Sequence, residues 1–580
     1  MKKVFSKFLV LLLCMALLTA CTSKDASPAA SPSATPDASA SDASSTAANG
    51  NRPSLLKNDN VNLPGVMPIC KNTETLTVGI AQYPNTKSYA YEDNYQTKWM
   101  QDHSNVKLEL EIFPAADANQ KLDLMISSNS PLPDVLIQMG IEKDVTRYKY
   151  GKAGAIIPLD GYYDQLGYFF DQALIRDANN SDFMSKEDLF NYVRSSDGNT
   201  YGAFKYIVSE PNSYVNRVWM NQKWLKALGL SEPKTTEELV NVLRAFRDND
   251  PNQNNKKDEI PMVGCAGGWN TDPILWLMNS FIYVDGDTTK NYYLCDNGIL
   301  DTAYDKSEWR EGLRFAKRLV DEGLLSSLSF TQDLSQYKAM VSAETQTVGI
   351  CVSSSISYLN KNKPDYDALG AIEGPKGVKW ATFTAQLPVC VAAITRDCKS
   401  PDLAFRWLEM GYESYDYYMV SRFGEPNVDW KYVDTGKTVS DAYKPFFKTI
   451  NNIWGIPQQK HWGNMPLPVF ATGIVNQGEV FEDLTNNEFK NSVAVAKQKD
   501  YTPDKEDLYY KIIYTSEELD QYSELRTALK TYIDESMVRF VMGDLDLDKD
   551  WDKYLKELEK LKYKDILAMD QKAYNRTIGK

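Results

Sequence analysis

The chain has 580 residues, 43% of them hydrophobic and 12% aromatic, and it carries a net charge of −14. This acidic balance excludes nonspecific, charge-driven binding to nucleic acids. The length allows two or more lobes, each with its own core.

Residues 1–21 have the three parts of a bacterial secretory signal. Lys2 and Lys3 make the start basic, an apolar run follows, and small residues precede Cys21. The apolar run is shorter than the ~20 residues of a membrane-spanning helix. The ending Leu-Thr-Ala-Cys resembles the lipobox of bacterial lipoproteins, which implies that Cys21 receives a lipid anchor. An ordinary signal in which Cys21 is incidental is the alternative.

A disordered tether is predicted for residues 22–69. From Thr22 to about Pro53 the chain is almost entirely Ala, Ser, Pro, Thr, Asp and Asn, and it contains no aromatic residue. Such a segment buries too little apolar surface to offset the entropy of ordering. We expect a flexible stalk that holds a globular body on the extracellular face of the cell membrane.

The first part of the body shows strands and helices in alternation. Apolar residues recur at every second position near Leu76–Ile80 and Val106–Ile112, which predicts strands, and Asp134–Gln138 reads as a third, buried strand. Tyr91–His103 and Asp117–Ser128 have helical character. The order strand, helix, strand, helix, strand predicts a parallel sheet with right-handed crossovers.

The rest of the chain repeats this mixture without an internal repeat. Apolar residues at helical spacing predict helices over residues 236–247, 308–322, 401–412 and 549–561. Apolar runs predict buried strands over residues 347–352 and 388–395. The predicted fold class is therefore α/β.

A candidate calcium loop follows the predicted helix that ends at residue 247. Oxygen-bearing side chains stand at the first, third, fifth and ninth positions of this loop, as in an EF-hand loop, and a backbone carbonyl is expected at the seventh. The corresponding residues are Asp250, Asn252, Asn254, Asp258 and, for the carbonyl, Lys256.

The loop departs from the EF-hand pattern at two positions. Asn255 stands where Gly is usual, although Asn tolerates the left-handed conformation better than most residues. Pro261 stands where a bidentate Glu is usual, so Glu259 would have to replace that ligand. A plain solvated turn remains the alternative.

No sequence motif of catalysis, phosphate binding or dinucleotide binding is present. The chain has only two histidines, His103 and His461, so a histidine-dependent catalytic site would need one of them. Six cysteines follow the tether at irregular spacing, and we expect them to be small buried residues. A Cys390–Cys398 disulfide stays open at this stage.

Several segments resemble one known family over nearly the whole body: the lipid-anchored, oligosaccharide-binding solute-binding proteins of bacterial ABC importers, family 1. The family's helix–turn–strand pattern, helix pair, loop and closing helices match residues 122–134, 224–239, 250–261 and 551–574. The loop holds calcium in alginate-binding members, so the resemblance implies a structural Ca²⁺ at Asp250–Glu259.

The resemblance also implies the domain organisation. The family fold has two α/β lobes of the periplasmic-binding-protein type, joined by crossing strands, with the ligand in the cleft. By analogy, crossings fall near residues 209–216, 385–391 and 427–437. The expected N-terminal lobe is 70–212 with 386–430, and the expected C-terminal lobe is 213–385 with 431–580.

A sugar-binding cleft needs aromatic rings for the C–H faces of the sugar and polar side chains for its hydroxyls. We select candidates that follow strands, lie at the first crossing or stand in loops. Trp269 and Trp462 rank highest because neighbouring glycines suggest exposed loops, although core packing is the alternative for any aromatic residue. The candidates are Tyr83, Gln138, Glu210, Trp269, Asn270, Trp454, His461 and Trp462.

The predicted function is capture of an oligosaccharide and delivery to the permease subunits of an ABC importer, without catalysis. Hinge closure around the ligand performs this function. Two alternatives remain: a surface-anchored enzyme that degrades polysaccharides, and an extracellular receptor that works with a sensor kinase.

Overall fold

The computed structural model describes residues 52–179, 184–285, 291–438, 443–453, 456–463, 465–471, 478–483 and 485–578. The signal, Cys21 and most of the Ala/Ser/Pro-rich segment therefore lie outside the described residues, as does Trp454. No helix in the described ranges is both long and apolar enough to cross a membrane.

The strands are β1 Glu74–Ala81, β2 Val106–Phe113, β3 Val135–Ile137, β4 Ala203–Ile207, β5 Val218–Asn221, β6 Ile260–Val263, β7 Tyr293–Asp296, β8 Ile299–Thr302, β9 Val348–Val352, β10 Tyr366–Leu369, β11 Val389–Ile394, β12 Trp430–Tyr432, β13 Phe447–Thr449 and β14 Phe470–Ala471.

The α-helices are α1 Tyr95–Ser104, α2 Ala118–Ser127, α3 Asp144–Lys152, α4 Asp160–Leu166, α5 Tyr168–Asp177, α6 Lys186–Val193, α7 Glu210–Ser213, α8 Gln222–Ala227, α9 Thr236–Asp248, α10 Pro273–Met278, α11 Ser307–Asp321, α12 Leu334–Val341, α13 Pro401–Glu409, α14 Tyr415–Phe423, α15 Asn487–Ala496, α16 Ser516–Met542, α17 Trp551–Lys560 and α18 Tyr563–Thr577. Short 3-10 turns occupy Ser327–Phe330, Ile356–Asp365, Met410–Tyr412, Lys499–Tyr501 and Lys505–Asp507.

The first lobe is built on a six-stranded sheet with the order β14-β4-β11-β3-β1-β2. β1 pairs in parallel with both β2 and β3, as the alternating pattern predicts, and β11 enters antiparallel to β3. Buried side chains from these strands share one core with α1, α4, α5, α13 and α14. Val78, Val135 and Leu136 are completely buried in it, which matches their apolar pattern.

The second lobe is built on a four-stranded sheet with the order β10-β5-β9-β6. α9, α10, α11, α16 and α17 contribute to a core on this sheet, and α12 and α15 contribute to a second, smaller one. α11 shows why the helical prediction succeeds, because Trp309, Leu313 and Ala316 lie on its buried face. The α/β fold with two lobes is thus confirmed.

The chain crosses between the lobes in two adjacent segments, and a third time between β14 and α15. The first runs from β4 through α7 to β5, and the second runs from β10 to β11. They contact each other where the Thr384 N–H donates to the Ser213 carbonyl at 2.7 Å. Arg217, at the end of the first crossing, is buried and donates to the carbonyls of Pro211 and Ser354. These bonds fix the direction in which the first crossing enters β5.

The structure differs from the sequence prediction at the start of the body. The last part of the predicted tether, from residue 53 to residue 69, is folded onto the first lobe. Leu56, Val61 and Ile69 are buried in the first core, and Val61 forms an antiparallel bridge with Cys70. The composition of the segment does not predict this packing, because only a few apolar residues in it make the contacts.

The lobe boundary also differs after residue 430. The sequence analysis assigns residues 431–580 to the second lobe, but Phe447, Trp462 and Phe470 are buried in the first core. β14 pairs in parallel with β4 at the edge of the first sheet. A two-residue strand carries too little periodicity to be assigned from sequence.

The six cysteines of the body, Cys70, Cys265, Cys295, Cys351, Cys390 and Cys398, are all free thiols. Cys390 and Cys398 therefore do not form a disulfide. All but Cys295 are buried, which agrees with the prediction of small core residues.

Two valines within residues 53–69 provide a matched test of how this segment packs on the first lobe. Val61 is completely buried and Val66 is 41% exposed. Val61→Ala should lower the free energy of unfolding by about 2 kcal/mol, because it removes buried methyl groups and leaves a cavity. Val66→Ala should change it by less than about 0.5 kcal/mol. Chemical denaturation of both variants measures the two changes in the free energy of unfolding. If both changes are equally small, the segment is a tether and is not packed on the first lobe.

Candidate binding cleft

A cavity of about 600 Å³ lies between the two lobes beside the second crossing. Its first-lobe wall is formed by residues 142–148 around the start of α3, together with Ser195 and Val389. Its second-lobe wall is formed mainly by residues 509–514 and by Asp285. The cavity is therefore bounded by both lobes and by the segment that connects them.

Among the residues that the structure describes, five aromatic side chains line this cavity, and all are partly exposed: Tyr148, Phe383, Tyr509, Tyr510 and Tyr514. Ring contacts hold two of them in place. Phe383 meets Tyr214 edge-to-face with 5.6 Å between centroids, and Tyr509 meets Tyr293 at 5.8 Å. Aromatic surface is thus presented to the cavity in fixed orientations, which reduces the entropy that a ligand must offset on binding.

Polar groups are interspersed among these rings. The Asp144 carboxylate lies between Arg147 and Lys511, with N–O distances of 2.7 Å to each. Asp285 is buried at the second-lobe wall. Within the described residues the buried Ser195 hydroxyl has no hydrogen-bond partner. Apolar faces with a few placed polar groups are typical of small-molecule sites.

A second cavity of about 780 Å³ adjoins the first. The two share the lining residues Arg194, Ser195, Ser196, Tyr510 and Ile513. Beyond them the second cavity continues between α6 and the end of α18. Together the adjoining cavities make up a groove between the lobes.

A smaller pocket of about 170 Å³ is strongly polar. Arg422, Glu479, Glu488 and several Asn and Ser side chains line it. The Glu479 carboxyl accepts a hydrogen bond from Thr449 Oγ1 at 2.7 Å. Burial, reinforced by the charge of Glu488, raises the pKa of Glu479 to about 8. Glu479 is therefore largely protonated at neutral pH and is able to donate a hydrogen bond.

Those sequence-predicted ligand residues that the structure describes, all but Trp454, do not line the 600 Å³ cavity. Tyr83 is partly buried, and its ring fills the space beside Gly463. Gln138 has a positive φ of 60°, and its N–H donates to the Val391 carbonyl at 2.8 Å. Glu210 begins α7 at the first crossing, as expected.

The two highest-ranked tryptophans have opposite environments. Trp269 is 52% exposed on the loop after β6, with Asn270 next to it at a φ of 50°. Trp462 is 1% exposed, and its indole N–H donates to Thr97 Oγ1 at 2.6 Å. The expectation that Trp462 stands on an exposed loop is wrong, because α1 covers its ring.

His461 also lies in the core. It is 1% exposed, and its Nδ1 accepts a hydrogen bond from the Gly463 N–H at 2.9 Å. Burial, together with the nearby charge of Arg422, lowers the pKa of His461 to about 4. The imidazole is neutral at physiological pH and is part of the packing beneath the Trp462 loop rather than a ligand-contact residue.

The sequence analysis did not identify the aromatic residues of the cavity. A signal was present in Leu508-Tyr-Tyr-Lys-Ile-Ile-Tyr514, an aromatic-rich run. The structure gives this run no regular secondary structure. An aromatic cluster outside helices and strands is a candidate binding surface, and this criterion would have selected Tyr509, Tyr510 and Tyr514.

The candidate calcium loop is folded around its acidic side chains. Asp250 accepts hydrogen bonds from the N–H groups of Asn254 and Asn255, at 3.1 Å and 2.9 Å. The side-chain amide of Asn254 donates to both carboxylate oxygens of Asp258. Asn255 has a φ of 58°, so it adopts the left-handed conformation that the loop requires at its sixth position.

Glu259 has a buried carboxylate oxygen that bears on whether this loop can hold a cation. Its buried Oε1 has no hydrogen-bond partner in the described part of the chain. Burial, together with the charges of Asp250 and Asp258, raises the pKa of Glu259. A hard cation would satisfy the buried oxygen and offset this repulsion, so the donor set fits calcium. No cluster of three Asp, Glu, His or Cys side chains among the described residues forms a metal site by itself, so amide and backbone oxygens would have to complete the shell.

Comparison with known protein families identifies the family of this chain. The family model for bacterial extracellular solute-binding proteins matches residues 83–414. The chain belongs to this family.

Two curated relatives are similar in sequence. The fructooligosaccharide ABC transporter substrate-binding protein FusA of Streptococcus pneumoniae is 26% identical over 482 residues, which cover 79% of this chain and 83% of FusA. Lipoprotein LipO of Bacillus subtilis is 25% identical over 294 residues, which cover 48% of this chain and 52% of LipO.

Solved structures show the same fold. FusA in complex with kestose superposes with a TM-score of 0.72 at 22% identity, covering 87% of this chain and 100% of that one. An EF-hand mutant of FusA in complex with fructo-nystose gives a TM-score of 0.71 at 23% identity, with the same coverage. The alginate-binding protein AlgQ2 without calcium ion gives a TM-score of 0.63 at 20% identity, covering 87% and 98%.

Proposed function

We propose that this chain is the substrate-binding component of an ABC importer and captures an oligosaccharide in the cleft between its lobes. The aromatic-lined cavity of about 600 Å³ carries this proposal. The cavity lies between two lobes joined by adjacent crossings, which is the arrangement that hinge closure requires. The bound sugar would then be delivered to the permease subunits of the importer.

The chemistry of the groove matches an oligosaccharide. Partly exposed rings such as Tyr148 and Phe383 offer flat apolar surface for the C–H faces of sugar rings. Ser195 and Asp285 provide donors and acceptors for hydroxyl groups. The adjoining cavity extends the groove, which favours a ligand of several sugar units. The similarity to FusA supports fructooligosaccharides as the first ligands to test.

Binding without turnover is part of the proposal. The similarity to FusA, a substrate-binding protein, supports this. Incubation of the protein with a bound oligosaccharide should release no new reducing ends. Measurable release would identify the chain as a polysaccharide-degrading enzyme instead.

The binding experiment uses tyrosine variants inside and outside the cavity. Isothermal titration with kestose, nystose and plant and algal oligosaccharides should find a ligand with micromolar or tighter affinity, about −8 kcal/mol. Tyr148→Ala and Tyr510→Ala should each weaken binding by about 1–3 kcal/mol, because a ring that stacks on the sugar is lost.

Tyr168→Ala is the matched control, because Tyr168 is a 46% exposed tyrosine of the first lobe that does not line the cavity. It should bind as the unmodified protein does. If the cavity variants bind normally and Trp269→Ala abolishes binding, the site lies at the exposed loop after β6 instead.

We also propose that the loop from Asp250 to Glu259 holds a structural Ca²⁺. The side chains of Asp250, Asn252, Asn254, Asp258 and Glu259 and the Lys256 carbonyl would supply its oxygens. The unpartnered Glu259 oxygen supports this, as does the EF-hand of the similar FusA. The ion would neutralise three nearby carboxylates and hold the end of α9 against β6.

Removal of calcium should lower the melting temperature, because an ion that binds the folded state stabilises it by mass action. The double variant Asp250→Ala, Asp258→Ala should lose this response to chelator. Asp248→Ala is the control, because Asp248 is a 54% exposed acid that pairs with Arg247 outside the loop. Identical melting curves of metal-free and calcium-loaded unmodified protein would contradict the site.

We further propose that Cys21 carries a lipid anchor on the extracellular face of the membrane. The lipobox-like Leu-Thr-Ala-Cys sequence and the similarity to LipO support this. Cys21→Ser should move the protein from the membrane fraction to the medium or to an uncleaved pool. Retention of a processed Cys21→Ser protein in the membrane fraction would contradict lipidation.

A further inference from the structure

One segment of the second lobe reaches across the cleft to the first lobe. Residues 509–514 run beside α18 and are bonded to it at two points. The Ile513 N–H donates to Thr577 Oγ1 at 3.0 Å, and Arg576 donates to the Ile513 carbonyl at 2.9 Å. Ile512 is buried in a cluster with Tyr574. The backbone of this segment is therefore fixed to the second lobe.

Lys511 extends from this segment to two elements of the first lobe. Its Nζ lies 2.7 Å from Asp144 Oδ2 and donates to the Tyr192 carbonyl at 3.0 Å. Asp144 is the first residue of α3, and Tyr192 belongs to α6. Both helices contribute buried residues to the first core, among them Tyr150 and Val193. One ammonium group thus holds two helices of the opposite lobe.

Asp144 is held in place for this contact. Arg147 is 1% exposed, and it donates to Asp144 Oδ1 at 2.7 Å and to the Ile141 carbonyl at 3.0 Å. Burial by itself would raise the pKa of Asp144, but the charges of Lys511 and Arg147 outweigh it and lower the pKa. The carboxylate is therefore ionised and oriented toward Lys511 at neutral pH.

This ion pair joins the two lobes at the cavity between them. Asp144 and Lys511 both line that cavity, and so does Thr384, whose N–H donates to the Ser213 carbonyl where the crossings meet. Opening of the cleft about the crossings would separate Lys511 from Asp144 and Tyr192. Each opening therefore breaks an ion pair and a hydrogen bond.

We propose that Lys511 is a positioning residue that holds the cleft closed over a bound oligosaccharide and thereby slows its release. This inference rests on the proposed function, because it assigns the role of one residue at the same site. The ion pair adds to the closed state and is absent from the open one, so it should act on the dissociation rate more than on association.

The test uses substitutions at both ends of the pair. Lys511→Met removes the charge at similar length, Asp144→Asn removes its partner, and Lys511→Arg keeps a cation able to reach the carboxylate. Lys497→Met is the matched control. Lys497 pairs with Glu232 at 2.8 Å and donates to the Ala368 carbonyl at 2.7 Å, so it makes the same two kinds of contact within the second lobe.

Two measurements decide the role of Lys511. Stopped-flow fluorescence with kestose and nystose should show dissociation about fivefold faster for Lys511→Met and Asp144→Asn, with association changed less than twofold. Lys511→Arg and Lys497→Met should both release the sugar at the dissociation rate of the unmodified protein. Small-angle X-ray scattering without ligand should show a larger radius of gyration for Lys511→Met than for Lys497→Met.

Unchanged dissociation and scattering in Lys511→Met would overturn the proposal, because the segment would then move together with the first lobe. Equal acceleration in Lys511→Met and Lys497→Met would also overturn it, since the effect would follow from lost stability. If neither kestose nor nystose binds the unmodified protein, fructooligosaccharide capture fails, and the scattering comparison still decides whether Lys511 closes the cleft.

Discussion

The division of the apolar residues between two separate sheets is the constraint on which the rest of this molecule depends. Each sheet buries its own set of side chains, and in the described part of the chain the two cores stay separate. The space between them is therefore not filled by the fold itself. It is bounded by partly exposed rings such as Tyr148, Phe383 and Tyr510, which a fully packed interior would have covered. A ligand can occupy the space between the two cores that protein side chains do not fill.

The crossings must be firm enough to align the lobes and short enough to act as a hinge. The buried Arg217 helps to align the lobes. Burial lowers the pKa of Arg217 to about 10, so the group remains charged at neutral pH. Its desolvation is offset by hydrogen bonds to the carbonyls of Pro211 and Ser354. The end of the crossing is thereby fixed to the second sheet, and the freedom to move is left to the segments before it.

Residues 509–514 combine several roles in one stretch without regular secondary structure. Their tyrosines line the cavity, Ile512 anchors the stretch on α18, and Lys511 contacts the first lobe. Loops on a rigid scaffold frequently carry binding residues, because their side chains are not committed to a core. The candidate calcium loop is another segment without regular secondary structure, and its backbone turns around Asp250 gather oxygens that no helix or strand would bring together.

Periodicity and local turn chemistry were enough to predict the α/β class and the oxygen spacing from Asp250 to Asp258. They also predicted a minority of the elements: the strands β1, β2, β3, β9 and β11 and the helices α1, α2, α9, α11, α13 and α17. The sequence by itself did not determine which residues face the cleft. Trp269 and Trp462 both stand beside glycines in similar loop sequences, yet they are 52% and 1% exposed. Only the tertiary structure decided between them, because Gln96 and Thr97, more than three hundred residues away in the chain, bond the backbone and the indole of Trp462. Contacts over such separations leave no local pattern from which burial can be read.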